Sequence, residues 1–243
     1  MNTIRLFSQV ALASALTACS SSDTSSTPMV TQTGRVLSFE VCNTAHTPVA
    51  GATVTVGGNT ATTGTDGTYS IAVPPKDPFT MQVVKASAPT YVQLLEEENT
   101  VQGDYNRGDT QLIPTSTATL LSSSLPNYDT TQALITVELV KTGACADLGG
   151  TTVSASPTGA KAITQYPASC VSPVGTNAFV TDGIFPAAVI YNVTPGKQTL
   201  SATSPKCTQI PFPYTDPTTK LTYDGTVQTQ AGTGTSFVRI FMK

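Results

Sequence analysis

Alternation of apolar and polar residues with a period of two recurs along this chain, and it comes in short runs. In "TVTV", residues 53–56, Val54 and Val56 alternate with Thr53 and Thr55, which gives a strand one dry face and one wet face. "ALITVELVK", residues 133–141, is another such run, and Tyr191 to Leu200 reads as a strand, a turn at Pro195-Gly196 and the next strand. Around Val36, Phe39 and Val41 the parity breaks, which predicts a bulge or edge irregularity in the first strand. Asp66-Gly67 and Asp182-Gly183 predict tight hairpin turns, because such turns need the positive φ that glycine tolerates. Residues 115–127 predict a short helix or turn, and "VQLLEEEN", residues 92–99, is compatible with a strand or with a helix. The pattern as a whole is that of a small all-β protein.

The same signals appear twice, in the same order. "GRVLSFEVCNTAHTPVAGATVTVGG" is followed by "TTGTDGTYSIAVPP", and "ALITVELVKTGACADLGGTTVSASP" by "AFVTDGIFPAAVIYNVTPGKQTLSATSP". Each copy opens with an alternating strand, passes a cysteine-bearing loop, reaches Gly-small-Thr-Val at Gly51–Val54 or Gly150–Val153, and later turns on Thr-Asp-Gly. The second copy alone carries the insertion "GAKAITQYPASCVSPVGTNAF". This predicts two tandem antiparallel β-sandwiches, over residues 34–114 and 133–243, with a connector at 115–132.

Composition agrees with that prediction. Charged residues are only 11% of the 243, against roughly 25% in an average soluble domain, and 18 Gly and 17 Pro punctuate a chain rich in Thr and Ser. The 12 Lys and Arg residues do not cluster and the net charge is −3, so no electrostatic footprint for nucleic acid exists.

At the N-terminus, Arg5 precedes a mostly apolar run from Leu6 to Leu16, too short for the ~20 residues that span a bilayer core. It has the form of a secretion signal. Leu16-Thr17-Ala18-Cys19 resembles the lipobox of bacterial lipoproteins at all four positions. The resemblance implies a signal peptide over 1–18, diacylglyceryl transfer to the Cys19 thiol, cleavage before it and acylation of the freed amine. One acyl chain binds a membrane only marginally, whereas several hold. Residues 19–33 then predict a Ser/Thr-rich flexible tether of about 20 Å root-mean-square reach. Ser20 stands where many enterobacterial lipoproteins kept at the inner membrane have aspartate, so the expected location is the cell envelope at the outer membrane.

Both copies resemble the carboxypeptidase regulatory-like, or prealbumin-like, domains. "GATVTVGG" and "TTGTDGTYSIAVP" carry the likeness in the first and "YNVTPGKQTLSATSP" in the second. The family implies an antiparallel sandwich used as a binding, spacer or scaffold module, without a cofactor. Related Cna protein B-type domains are cross-linked by a Lys–Asn isopeptide bond; here the first strand of copy one has no lysine and "SFVRIFMK" has no asparagine, so that bond is not expected.

Beyond Cys19, the exported chain has Cys42, Cys145, Cys170 and Cys207, an even number that predicts two disulfides. Cys145 with Cys170 is the favoured pairing, leaving Cys42 with Cys207 as a clamp between the halves; Cys145 with Cys207 is the alternative. Zinc is not expected, because no C-x-x-C spacing occurs. No catalytic residue is expected either: the one histidine, His46, reads as a surface side chain and there is no G-x-S-x-G. Glu96, Glu97, Glu98, Asp104 and Asp109 could gather on Ca²⁺, but "DYNRGDTQLIPT" departs from the EF-hand pattern, and solvated loop charge is the expectation. Arg107-Gly108-Asp109 spells an adhesive tripeptide, too short to weigh. Tyr166, Phe212 and Tyr214 are the candidate ligand-binding aromatics, since sugars stack on rings. The expected function is a non-catalytic interaction or scaffolding lipoprotein with an envelope protein partner, the alternative being carbohydrate or cell-wall binding through those rings.

Overall fold

The computed structural model describes residues 28–39, 46–123, 125–157, 159–162, 179–180, 182–183, 186–232 and 234–243. Eight strands come first: β1 (Val30–Ser38), β2 (Thr53–Val56), β3 (Asn59–Thr62), β4 (Thr68–Val73), β5 (Met81–Val84), β6 (Leu94–Glu96), β7 (Asn99–Thr100) and β8 (Tyr105–Leu112). Helix α1 (Thr115–Ser123) follows. The rest is β9 (Ala133–Lys141), β10 (Thr152–Ser156), β11 (Ala160–Ala162), β12 (Ala187–Val193), β13 (Gly196–Thr203), β14 (Tyr214–Thr215), β15 (Thr222–Tyr223), β16 (Thr226–Thr229) and β17 (Thr235–Met242). The all-β class is as the alternation predicted.

The repeat in the sequence is also a repeat of topology. In the first half β1 pairs antiparallel with β4 and parallel with β8; in the second, β9 pairs antiparallel with β12 and parallel with β17. Antiparallel pairing of β2, β5 and β6 is matched by that of β10, β13 and β16. Each half therefore stacks two sheets over its own buried cluster. One cluster includes Val36, Val54, Ile71, Val83 and Leu112, the other Ile135, Val153, Ile190, Leu200 and Ile240. Full burial of each such side chain is worth about 1.5–3 kcal/mol.

The halves share a sheet. β17 pairs in parallel with β9 on one side and with β6 on the other, which makes an eight-stranded sheet of order β11-β12-β9-β17-β6-β5-β2-β3. Side chains two apart share a face. On β17, Val238, Ile240 and Met242 enter the second cluster, while Phe241 belongs to the first and Phe237 packs against it. The two covering sheets, β4-β1-β8 and β10-β13-β16, thus lie on opposite faces of the shared sheet. Residues between the covering strands cross over too: β14-β15 pair onto β7, and Leu221 and Tyr223 complete the first cluster.

Several expectations need correction. The tether ends earlier than residue 33, because β1 starts at Val30 and Gln32 is fully buried, its amide donating to the Tyr69 hydroxyl at 2.7 Å. Of the two readings open for "VQLLEEEN", strand holds: it contains β6 and the start of β7. The Asp66-Gly67 turn has the foreseen geometry, with Gly67 at φ 77° and Asp66 accepting from the Thr68 amide and hydroxyl, but it carries the chain from β3 in one sheet to β4 in the other. Gly183 lies outside the left-handed region; its neighbour Asp182 instead accepts from the Lys141 ammonium and the Leu148 amide. Cys145 is bonded to Cys207 rather than to Cys170, both sulfurs lying in the second cluster. The cysteine loop after β9 and the one after β13 are brought together by the stacking of the two sheets, which local spacing does not reveal. Cys19, Cys42 and Cys170 lie outside the described residues.

Candidate functional site

Where β6 meets β17 the structure gathers four charges, three of them buried and the fourth, Arg239, half-buried. Glu96 and Glu97, at 1% and 0% exposure, face Arg107 from β8 and Arg239 from β17. Arg107 donates to Glu96, whose other oxygen accepts from the Thr110 hydroxyl at 3.3 Å. Arg239 donates to Glu97 at 3.0 Å, lies 3.4 Å from Glu138 and stacks on the Phe237 ring, 4.7 Å from its centroid. Burial pushes the Glu97 carboxyl up, although Arg239 and Arg107 hold it down. For both arginines burial works against the charge, and the facing carboxylates outweigh it, so both guanidinium groups are held more firmly protonated than in water.

Arg107 reaches this site through a bulge. Thr33 pairs with Asn106 and Arg35 with Asp109, so Arg107 and Gly108 together oppose Gly34 alone. Gly108 takes φ 78°, a conformation that a residue with a Cβ adopts at a cost, and the shift lets Arg107 and then Thr110 both point inward. The tripeptide Arg107-Gly108-Asp109 is therefore a strand bulge: Arg107 is buried, and Asp109 is held by the Arg35 guanidinium at 3.0 and 2.9 Å.

The five carboxylates of residues 96–109 do not converge. Glu98 accepts from the Lys197 ammonium and from the Thr226 hydroxyl at 2.9 Å, and Asp104 accepts from the Thr31 amide at 2.7 Å. Lys197 and Thr226 draw the Glu98 carboxyl below its ordinary range. Solvated loop charge, the expectation for this run, is wrong for Glu96 and Glu97.

Beside the charge cluster opens a cavity of about 540 Å³. Its floor is the face of β6, β17 and β9 that the β4-β1-β8 sheet leaves uncovered. The register sets that floor in rows: Leu94, Thr235 and Leu134; Glu96, Phe237 and Thr136; then Arg239 and Glu138. One wall is the edge of β8, and the roof is α1 through Ala118 with Leu125 and Tyr128 behind it. Thr235 is 6% exposed and its hydroxyl has no hydrogen-bond partner among the described residues.

The other candidates fall elsewhere. His46 is half-buried, its Nε2 3.3 Å from the Gln111 side-chain amide. Phe212 is half-buried with its ring against Gly225, where a Cβ would come within 2.3 Å of it. Tyr214 is half-buried on Phe241, ring centroids 4.5 Å apart. Tyr166 lies outside the described residues. Among the described residues no group of three or more His, Cys, Asp or Glu is placed to hold a metal. Sequence reasoning missed the cavity altogether; its only trace was the alternation of Leu134, Thr136 and Glu138, which reads like any wet strand face.

No protein family and no curated protein matches the chain. Among solved structures, its fold is similar to a chain of a type II cohesin–X-dockerin complex from Acetivibrio cellulolyticus, at 21% identity over 37% of this chain and 60% of that one, TM-score 0.30. It is also similar to the minor pilin GBS52 of Streptococcus agalactiae, at 11% identity over 88% and 95%, TM-score 0.25. The shaft pilin SpaA of Lactobacillus rhamnosus GG matches at 11% identity over 89% and 98%, TM-score 0.26. The chain thus spans less than two thirds of the cohesin-complex chain. A likeness at this level does not extend to activity or partner.

Proposed function

We propose that this protein is a cell-envelope lipoprotein, held at the outer membrane through Cys19, whose two fused β-sandwiches form a non-catalytic interaction or scaffolding body. The carrying observation is the shared sheet: β17 is hydrogen-bonded to β9 from Thr235 to Met242 and to β6 from Thr235 to Phe237, so one strand ties the two halves together. A stiff body on a short tether suits holding a partner at a set distance from a membrane. Three of the four charged groups that line the cavity support a non-catalytic reading, because Glu96, Arg239 and Asp109 are already committed to Arg107, Glu97 and Arg35. Phe212 and Tyr214 spend their rings on packing, which leaves the carbohydrate reading with less to stand on than the scaffold.

Intact-mass analysis of protein extracted from membranes tests the anchor. The expected species begins at Cys19 and carries lipid, and Cys19→Ser leaves the chain unacylated and in the soluble envelope fraction. An unmodified chain that fractionates with the soluble proteins in the wild type overturns the anchor. Glycan-array binding that is lost in Tyr214→Ala would replace the scaffold reading with the carbohydrate one.

A further inference from the structure

The cavity beneath α1 has the size and the chemistry of a small-molecule site. Its ~540 Å³ falls within the roughly 300–1,000 Å³ of ligand pockets. Leu94, Leu134, Val189 and Phe237 make its middle apolar. Polar groups stand at the two ends of one strand face. At one end is the Thr235 hydroxyl, nearly inaccessible and, among the described residues, unpartnered. The Thr235 side chain projects on the same face as Phe237 and Arg239, since residues two apart on a strand share a face, and Thr235 lines the cavity. A buried hydroxyl with no partner costs about 1–3 kcal/mol, which a ligand atom bonding to it would relieve.

At the other end stand three carboxylates and one guanidinium: Glu96, Asp109, Glu138 and Arg239. Arg107 holds Glu96 and Arg35 holds Asp109. The Arg239 charge is shared with Glu97 and laid over Phe237. Among the described residues Glu138 has one ion-pair contact, to Arg239 Nε at 3.4 Å, and a side chain 27% exposed, so its carboxylate keeps acceptor capacity in the cavity lining. Counted with their partners, the four carboxylates Glu96, Glu97, Asp109 and Glu138 face the three guanidinium groups of Arg35, Arg107 and Arg239, and the one negative charge in excess favours a cationic head there.

We propose that this cavity binds an elongated, amine-headed amphiphile. Its ammonium sits at Glu138, its apolar body lies over Phe237 and Leu134 beneath α1, and a distal hydroxyl or carbonyl bonds the Thr235 hydroxyl. The two polar ends are four residues apart along β17, about 13 Å at 3.3 Å per residue, which sets the length of the ligand. The proposal does not depend on the membrane anchor: the site lies wholly within the folded body.

Titration calorimetry on the folded body with ω-aminodecanol, decylamine, decanol and decanoate tests it. ω-Aminodecanol should bind one per chain and more tightly than decylamine, and decanoate should bind at least about tenfold more weakly than decylamine. Glu138→Gln should weaken both amines about tenfold and leave decanol unchanged. Thr235→Val, nearly isosteric, should bring ω-aminodecanol down to the affinity of decylamine. Ala118→Trp, filling the space under the roof, should abolish binding of all four. Decanoate binding as tightly as decylamine, amine binding that survives Ala118→Trp in a variant that still unfolds cooperatively, or no binding by either amine in the millimolar range would each overturn the proposal. Should Ala118→Trp fail to fold, the Glu138→Gln and Thr235→Val responses decide alone.

Discussion

Arg107→Met should be among the most destabilising single changes available outside the apolar clusters. Methionine keeps most of the volume and the apolar stem, so the substitution removes little except the charge. In the wild type the four charges of the junction balance, Glu96 and Glu97 against Arg107 and Arg239. After the change Glu96, 1% exposed, keeps, among the described residues, only the Thr110 hydroxyl at 3.3 Å and an Arg239 nitrogen at 3.9 Å. Leaving one member of a buried pair uncompensated typically costs about 3–5 kcal/mol. Urea unfolding at neutral pH, followed by far-ultraviolet circular dichroism, would read that loss as a fall in midpoint at constant slope. The double variant Glu96→Gln/Arg107→Met should recover at least half of it, because it removes the orphaned charge as well as the pair. Arg35→Met supplies the contrast: its bond to Asp109 is bidentate yet 46% exposed on both sides, and should scarcely matter. A loss below about 1 kcal/mol for Arg107→Met, or a double variant no better than the single, would refute burial of charge as the controlling feature of the junction.

The Cys145–Cys207 bond spans a sequence separation of 62, so on the chain-entropy account the Cys145→Ser/Cys207→Ser variant should lose about 4 kcal/mol, and a non-reduced peptide map of the wild type should yield the Cys145–Cys207 linkage. Gly67→Ala should cost about 1–3 kcal/mol in chemical unfolding, since φ is 77° and the new Cβ would meet the Val36 carbonyl oxygen at 2.4 Å. Glu98 titrates below its ordinary range when folded, chiefly through the Lys197 hydrogen bond, so its contribution is present above the unfolded value near about 4.3 and disappears as pH falls through the folded one. The stability difference between wild type and Lys197→Ala should therefore be largest above about pH 5 and shrink in acid; a difference that grows in acid would reverse the sign.

What was legible in the sequence is what depends on neighbours in the chain. Val54 and Val56 alternate with threonines because one face of β2 is dry, and the topology of the repeat follows from matching turn and strand signals. Illegible features depend on residues far apart. Glu96 and Glu97 look like loop charge until Arg107, within a strand bulge, and Arg239, in the last strand, are brought to them. The cysteine partner was misjudged for the same reason, since Cys207 reaches Cys145 only once β13 stacks over β9. Gln32 looks like tether in a run of threonines, and its burial is tolerated because Tyr69, Tyr105 and Met81 surround its amide with partners.

The junction also explains why the charges and the cavity lie together. β17 serves two cores at once, Val238, Ile240 and Met242 on one face and Phe241 on the other. A slip of one residue in its register would turn every side chain to the opposite face. Arg239 would then point into the second apolar cluster, away from Glu97 and Glu138, at the cost of an unpaired buried charge. The buried pairs thus penalise the one misregistration that an alternating apolar strand would otherwise tolerate. The cavity follows from the same geometry: with the covering sheets on opposite faces, the face of β9 and β17 nearest the junction emerges from beneath β8 before any sheet can cover it, and among the described residues α1 and the segment after it, through Leu125 and Tyr128, span the gap. A protein whose halves were joined by a linker would have neither feature, so both are properties of the fused sheet rather than of either sandwich.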